Sequence, residues 1–226
     1  MGGEDAHSPP FKSGNSALFP RNGVPMKALG IIGTAGRGRD GDRLTPTHFE
    51  RMTNLSRYIF DKCAKVAPLG LTSGGAAWAD HCAVALVLSG HVPFDQFWLF
   101  LPAAFDLRTK RFAETSQRFC PGRTSNYYHD RFSRVIGRNS LAEIAQIIED
   151  GRAHVTVDPK GFLSRNTLVA KRANRALLAF TFSLSCDSWS VSKYGNNESA
   201  DEAGLSDPGT ANTWNKAVCR KYHACL

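Results

Sequence analysis

The chain has 226 residues, of which 42% are hydrophobic, which is enough for one substantial core and leaves little room for a second. Its 28 Lys and Arg against 20 Asp and Glu give a net charge of +8, which favours anionic partners such as nucleotides, nucleic acids or phosphorylated metabolites. The sequence shows no secretory signal, and its apolar runs, such as residues 83–88, are far too short to cross a bilayer, so we expect a cytoplasmic protein with no membrane partner.

The first part of the chain predicts a flexible arm followed by alternating strands and helices. Residues 1–26 mix Pro, Gly, Ser and charged residues without periodicity, and we expect the single domain to span residues 27–226. A helix begins near Thr45, either with Thr45 as cap before Pro46 or with Thr47 and Glu50 as a capping box. The predicted elements are a strand at 27–32, a helix at 44–66, a strand at 69–73, a helix from 76 to 88 that ends before Gly90, and a strand at 97–101.

A polar, basic insertion is predicted at about 105–159, and the alternation resumes after it. Inside the insertion, Ser140 and Glu143 form a capping box and Gly151 stands where a helix ends, which predicts a helix between them. The remaining predicted elements are a helix at 165–174, a strand at 175–183, a loop at 186–208 and a helical end to the segment 209–223.

The repeated order of strand, glycine turn and helix predicts an α/β protein with a Rossmann-like, three-layer architecture. Its open parallel sheet carries helices on both faces. In such sheets ligands bind outside the carboxyl ends of the strands, where the connecting loops gather. The glycine-rich and polar motifs of this chain fall at that edge.

The loops at this edge carry residues suited to an anionic ligand. Glycine turns let the backbone approach a ligand closely, and helix N-termini present unpaired N–H groups to a phosphate or carboxylate. Arginine adds a planar guanidinium that binds phosphate in bidentate fashion. Taken alone, the Gly74–Gly75 pair fits a tight strand-to-helix connection equally well. The ligand-binding candidates are Gly33, Thr34, Ala35, Gly36 and Arg37 in the first loop, Ser73, Gly74, Gly75 and Trp78 in the second, Arg165 and Asn166 in the third, and Gly209 and Thr210 in the fourth.

Further candidates are acids and one histidine. Asp80, beside His81, and Asp207 are possible catalytic carboxylates, although a helix-dipole partner and a turn residue are the structural alternatives. His129 lies in the segment SNYYHDRF, which either contacts a ligand or covers the core with aromatic rings.

Six cysteines are scattered without the spacing of a disulfide framework, so reduced thiols are expected. Cys219, His223 and Cys225 lack a fourth ligand at useful spacing. We expect neither a metal nor a cofactor.

The motifs occur in a characteristic order along the chain. GTAGR follows the first strand, TSGGAAWAD spans the end of the second strand and the turn after it, LFLPA forms the third, SRN opens a helix, and LLAFTF precedes a GTANTW turn. This order resembles the SLOG superfamily. This superfamily of Rossmann-like proteins includes the LOG phosphoribohydrolases, the DNA-processing DprA family and sensor domains for nucleotide-derived ligands. The resemblance spans about residues 27–217.

The resemblance implies a nucleotide or nucleotide-derived ligand, and a homo-oligomer paired through helices beside the pocket. In the phosphoribohydrolase branch an arginine holds the substrate, and a Gly-Thr turn is followed after one residue by a catalytic glutamate. Arg165 matches that arginine, and Gly209 with Thr210 matches the turn. Asn212 stands at the position of the glutamate. An amide cannot act as a base, so this departure speaks against glycoside cleavage and leaves ligand binding untouched.

Three functions follow in order of preference. The first is binding of a nucleotide-derived molecule for sensing or sequestration. The second is hydrolysis of an N-glycosidic or phosphate linkage of a nucleotide, with Asp80, Asp207 and Arg165 as catalytic residues. The third is DprA-like binding of DNA, which the net charge permits.

Overall fold

The computed structural model describes residues 26–182 and 190–226. All but Met26 of the predicted N-terminal arm therefore lies outside the described residues, as do Cys186 and the end of the strand predicted at 175–183. The strands are β1 (Lys27–Gly33), β2 (Leu69–Ser73), β3 (Phe97–Leu101), β4 (Phe105–Asp106), β5 (Arg111–Phe112), β6 (His154–Val157), β7 (Ala176–Thr181), β8 (Ser190–Tyr194) and β9 (Arg220–Cys225). The helices are α1 (Pro46–Ala64), α2 (His81–Leu88), α3 (Pro121–Ile136), α4 (Ser140–Asp150), α5 (Phe162–Arg172) and α6 (Pro208–Lys216).

These elements form the predicted Rossmann-like α/β fold. The main sheet has the order β6-β3-β2-β1-β7-β9-β8, and β4 pairs with β5 in a separate hairpin. Every neighbouring pair in the main sheet is parallel except β8 and β9, which are antiparallel. The prediction of an open parallel sheet is confirmed for all strands of the main sheet except β8, which is antiparallel at one edge.

Alternating strand residues build a core on each face of the sheet. Leu29 and Ile31 point to the face covered by α1 to α4, and Ile32 points to the face covered by α5 and α6. This alternation follows from the period of two along a strand. Burial of each such side chain stabilises the fold by about 1.5–3 kcal/mol.

The cap predicted for α1 is present, and the one predicted for α4 is shifted by one residue. Thr45 accepts a hydrogen bond from the backbone N–H of His48, and Pro46 occupies the first helical position. For α4 the cap is Asn139, whose side chain accepts from the N–H of Ala142. Glu143 contacts other side chains instead, so the predicted capping box at Ser140 is wrong.

Two further predictions are wrong, namely the start of the helix after Gly75 and the helix at the end of the sequence. The helix expected from Ala76 begins at His81, because Trp78 has a left-handed backbone (φ +61°) that interrupts helical geometry. Residues 220–225 form β9, not a helix, since pairing with β7 and β8 buries Tyr222 and Ala224. No strand is predicted for β4, β5 and β6, which lie inside the predicted insertion, or for β8, which lies inside the predicted loop.

The predicted insertion is built into the fold. Its helices α3 and α4 contribute Phe132 and Ile144 to the core, and β6 forms one edge of the sheet.

The expectation of reduced thiols is wrong for Cys225, which is disulfide-bonded, because spacing along a sequence does not report proximity in a fold. Cys63, Cys82, Cys120 and Cys219 are free. In the described parts of the chain no helix is long and apolar enough to span a membrane.

The strand order places a topological switch at β1. From β1 the chain builds β2, β3 and β6 on one side, and α5 then crosses to β7 on the other side of β1. The loops that leave the carboxyl ends of β1 and its neighbours diverge at such a point and open a crevice. The site described next lies there.

Candidate functional site

A pocket of about 250 Å³ lies at the carboxyl end of β1, between the first turns of α5 and α6. Its walls come from four separate segments, and Phe119, from the loop before α3, stands at its edge. The predicted site residues that line it are Gly33, Ala35, Arg37, Asp80, Arg165, Asn166, Asp207, Gly209 and Thr210.

A buried ion pair forms the inner wall of this pocket. Nη1 of Arg165 donates to Oδ2 of Asp80 over 3.0 Å, and each side chain is only 7% exposed. The backbone N–H of Ala76 donates to the same carboxylate oxygen at 3.3 Å. Nε of Arg165 is buried and has no hydrogen-bond partner among the described residues. A buried guanidinium on the pocket wall thus retains an unused donor.

Burial shifts both members of the pair towards their neutral forms. Desolvation raises the pKa of Asp80, and the charge of Arg165 together with N–H donors opposes that shift. Desolvation also lowers the pKa of Arg165, which Asp80 opposes and the positive charge of Arg37 reinforces. The effect of Arg37 means that two guanidiniums act on the same small volume.

Arg37 is the exposed cation of the pocket. Its Cζ lies 5.6 Å from the ring centroid of Phe162 and 5.9 Å from that of Tyr128, within the range of cation–π contacts. No ion pair joins Arg37 to a carboxylate within residues 26–182 and 190–226. Arg37 therefore presents a charge that the described protein groups leave uncompensated.

The two helix N-termini at the pocket differ in how they are capped. Asp207 caps α6, since its Oδ2 accepts from the N–H of Thr210 at 2.8 Å and from the hydroxyl of Thr210 at 2.7 Å. Gly161 stands at the N-cap of α5 and supplies no side-chain hydrogen bond. The amide of Asn166 donates to the carbonyl of Gly209 at 3.1 Å and so ties α5 to α6. Asp207 thus has a structural role as a helix cap, which is close to the turn residue considered as the alternative to a catalytic role.

The Gly74–Gly75 turn does not line the pocket. A Cβ on Gly74 would overlap the guanidinium of Arg165, and one on Gly75, whose φ is +65°, would meet Leu101. The hydroxyl of Ser73 donates to the carbonyl of Asp80 at 2.9 Å. Protein side chains occupy the space that the glycines leave, so this turn serves as a close-packed strand-to-helix connection.

Other predicted residues of the first and last loops support the pocket from behind. The hydroxyl of Thr34 donates to Asp40 and accepts from the N–H of Gly36. Gly36 packs against the buried indole of Trp78, as a Cβ there would lie 2.6 Å from Nε1. Asn212 is outside the pocket lining, and its buried Oδ1 has no partner among the described residues.

His129 is a core residue. Its Nε2 hydrogen bonds to the carbonyl of Gly75 at 3.0 Å and its Nδ1 to the hydroxyl of Ser140 at 2.9 Å. Full burial, with a contribution from neighbouring His81, lowers the pKa of His129 to about 3. His81 is buried as well and pairs with Glu143 at 2.7 Å. His129 thus reaches the site only indirectly, through the glycine turn.

Sequence reasoning missed the apolar residues at the pocket mouth, Phe119, Phe162 and Leu163. Phe162 and Leu163 directly precede the SRN motif, and Phe119 directly follows the polar stretch from Glu114 to Arg118. Large apolar side chains in such positions were the available signal. No periodicity connects the two segments, because they are distant in sequence.

Comparison with known proteins identifies one relative. The chain is 35% identical over 176 residues to "Uncharacterized protein R261" of Acanthamoeba polyphaga mimivirus, a match that covers 74% of this chain and 92% of the viral protein. No family model matches the chain, and no solved structure matches it significantly.

Proposed function

The chain belongs to the same family as the mimivirus protein R261, and we propose that it binds a nucleotide or nucleotide-derived molecule in the pocket at β1. The ligand is held for sensing or sequestration. The motif order that resembles the SLOG superfamily supports this proposal, and so does the position of the pocket at the topological switch of the sheet.

The observation that carries the proposal is the pairing of Arg37 with Arg165 on one pocket. Cζ of Arg37 and Cζ of Arg165 lie 5.6 Å and 5.8 Å from the same ring centroid, that of Phe162, so the two cations lie close together. Only Asp80 forms an ion pair with either guanidinium among the described residues. A phosphate placed between them receives charge-assisted hydrogen bonds and relieves the repulsion between the two cations.

The start of α5 adds a second source of positive potential. Its first N–H groups lack a side-chain cap, and Phe162 and Leu163 of this turn line the pocket. The positive end of the helix dipole favours an anion at this position. The Arg165 Nε, buried and without a described partner, provides a further donor nearby.

The pocket volume bounds the size of the ligand. Binding sites for drug-sized molecules usually measure roughly 300–1,000 Å³. A volume of about 250 Å³ suits a molecule of single-nucleotide size that remains partly exposed, and is small for a dinucleotide. It also disfavours DNA binding within this pocket, where a duplex has no space to enter.

A nucleotide hydrolase is the second candidate, because the pocket contains a buried carboxyl group. The pKa of Asp80 is raised by desolvation, which is the kind of shift that general acids require. Three donors nevertheless engage this carboxylate, namely Arg165 and the N–H groups of Gly74 and Ala76. Such a group is better placed to hold Arg165 than to exchange protons with a ligand, so we rank binding first.

Calorimetry against nucleotides, cyclic nucleotides and ADP-ribose derivatives tests the proposal. We expect at least one compound to bind and to be recovered unchanged by chromatography. Arg37→Ala should lower its affinity about tenfold, because a charge-assisted contact is lost. Arg39→Ala is the matched control, since Arg39 is exposed in the same loop but outside the pocket, and it should change affinity less than twofold.

Four outcomes speak against binding in this pocket as the function. If no compound binds, or if Arg37→Ala and Arg39→Ala have equal effects, the proposal is wrong. Release of free base or phosphate, abolished by Asp80→Asn, would instead establish the hydrolase. If DNA binds with an affinity that falls steeply with salt concentration, and no nucleotide binds, the nucleic-acid alternative is favoured. Homo-oligomerisation and a cytoplasmic location stay predictions.

A further inference from the structure

Phe119 and Phe162 form an aromatic corner at the mouth of the pocket. Their ring centroids are 6.2 Å apart and their planes meet at 80°. Phe119 is 64% exposed although it is a large apolar residue, and both rings line the pocket. An exposed phenylalanine at a pocket mouth leaves apolar surface in water, which a bound ligand would cover.

Phe119 contacts the start of α5 through Phe162 and is otherwise largely exposed. A Cβ on Gly161 would lie 3.5 Å from Cε1 of Phe119 and 3.1 Å from Cγ of Pro121, so the loop before α3 packs against the start of α5. Gly161 has φ +83°, a conformation that glycine adopts without strain. The Phe119 ring thus lies against the start of α5 while most of its surface remains exposed.

The aromatic corner adjoins the cationic part of the pocket. Cζ of Arg37 lies 5.6 Å and Cζ of Arg165 lies 5.8 Å from the centroid of Phe162. An anionic group held by the guanidiniums is therefore close to both rings. One compact molecule that carries an anion and a flat ring can occupy both parts at once.

We infer that Phe119 and Phe162 select ligands with a planar aromatic ring next to their anionic group. This inference rests on the proposed function and assigns the inserted loop before α3 a role in specificity. Two perpendicular rings allow a third ring to stack on one face and to meet the edge of the other, the arrangements that aromatic quadrupoles favour. A sugar phosphate without an aromatic ring satisfies the guanidiniums and leaves the corner empty.

The test compares the four nucleoside 5′-monophosphates with ribose 5-phosphate by calorimetry. Wild-type protein should bind at least one monophosphate about tenfold or more tightly than ribose 5-phosphate, as expected for base stacking on an aromatic side chain. Phe119→Ala and Phe119→Leu should each remove most of that difference and leave ribose 5-phosphate binding unchanged. Phe119→Trp should preserve the difference in affinity. Fluorescence quenching of the new indole by the nucleoside monophosphate, but not by ribose 5-phosphate, would report stacking.

Tyr58→Ala is the matched control, because Tyr58 is an aromatic residue on α1 that is 59% exposed and lies outside the pocket lining. It should change neither affinity more than twofold. If Phe119→Leu binds as the wild type does, or if Tyr58→Ala weakens binding as much as Phe119→Ala, stacking on the corner does not select the ligand and the inference fails. Both outcomes leave the proposed function standing. Absence of binding by all five compounds, with the wider panel also inactive, overturns the proposed function and the inference together.

Discussion

Arg165 and Asp80 are joined across 85 positions of sequence by a 3.0 Å hydrogen bond inside the protein. Because both side chains are almost fully buried, water cannot solvate the remaining charge when its partner is removed. Removal of one member of a buried pair typically costs about 3–5 kcal/mol of unfolding free energy.

Asp80→Ala should therefore lower the free energy of unfolding by about 3–5 kcal/mol in urea denaturation. Asp42→Ala is the control, because Asp42 is 73% exposed and pairs with Arg131 at the surface, where ion pairs contribute about 0–1 kcal/mol. The double variant Asp80→Ala with Arg165→Met should recover much of the loss, since no charge is left unpaired. Equal costs for Asp80→Ala and Asp42→Ala would contradict this account.

Gly74→Ala should disturb the site although it adds only one methyl group. That Cβ would overlap the guanidinium of Arg165 and lie 2.8 Å from Oδ2 of Asp80, so the ion pair must move apart. We expect a loss of about 1–3 kcal/mol of stability, as for other overpacked positions, together with weaker ligand binding.

Gly209→Ala provides the comparison for Gly74→Ala. At Gly209 a Cβ meets only Asp207 at 3.4 Å and Asn166 at 3.8 Å, both ordinary contact distances, and the position is helical. Alanine is favoured over glycine in a helix by up to about 1 kcal/mol, so the midpoint temperature of thermal unfolding should be unchanged or slightly higher. A variant at Gly209 that is less stable than Gly74→Ala would refute the packing argument.

Acid should destabilise the protein through His129. Its pKa is about 3 in the folded protein against an ordinary 6.5, so the unfolded chain takes up a proton between these values and the folded chain does not. Stability is full above pH 6.5 and falls as the pH drops towards 3, by at most about 1.4 kcal/mol per pH unit from this group. His81, whose pKa is also lowered by burial, acts in the same direction.

His129→Gln keeps a donor for the carbonyl of Gly75 and removes the titration. Urea denaturation between pH 7 and 4 should give a shallower decline for this variant than for the wild type, even if its stability at pH 7 is lower. Parallel declines would show that His129 does not titrate as described.

Asp207→Ala should lower stability by about 1 kcal/mol, the usual effect of losing a helix N-cap. Asp207→Ser should retain most of the stability because serine also caps. Ligand affinity should stay within about threefold for both variants, since the carboxylate is occupied by Thr210. A collapse of turnover or affinity in Asp207→Ser at unchanged stability would reassign Asp207 to the ligand.

The parts of the fold that follow from local pattern were predictable. The run KALGII, the cap at Thr45 and the apolar spacing along α1 identify β1 and α1 without tertiary information. The location of a pocket at the carboxyl edge follows from the parallel topology alone. Arg37 and Arg165 follow from the same reasoning, because Arg37 lies in the loop after β1 and Arg165 lies in the first turn of α5.

The remaining features depend on contacts between distant segments. Nothing near Gly74 in the sequence indicates that Arg165 fills the space beside it. The strand β9 is stabilised by partners on both sides, and its alternation over six residues is too short to decide between strand and helix. Phe119 and Phe162 meet only because the loop before α3 returns to α5.

The division of the pocket into a buried wall and an exposed mouth has an evolutionary consequence. Arg165 and Asp80 are part of the protein's own framework, so a change there is paid for in folding before any ligand is considered. Arg37 and Phe119 project from loops and carry little of the core. Related proteins can therefore acquire a preference for a new compound through substitutions at the pocket mouth, while the buried pair and the core stay unchanged.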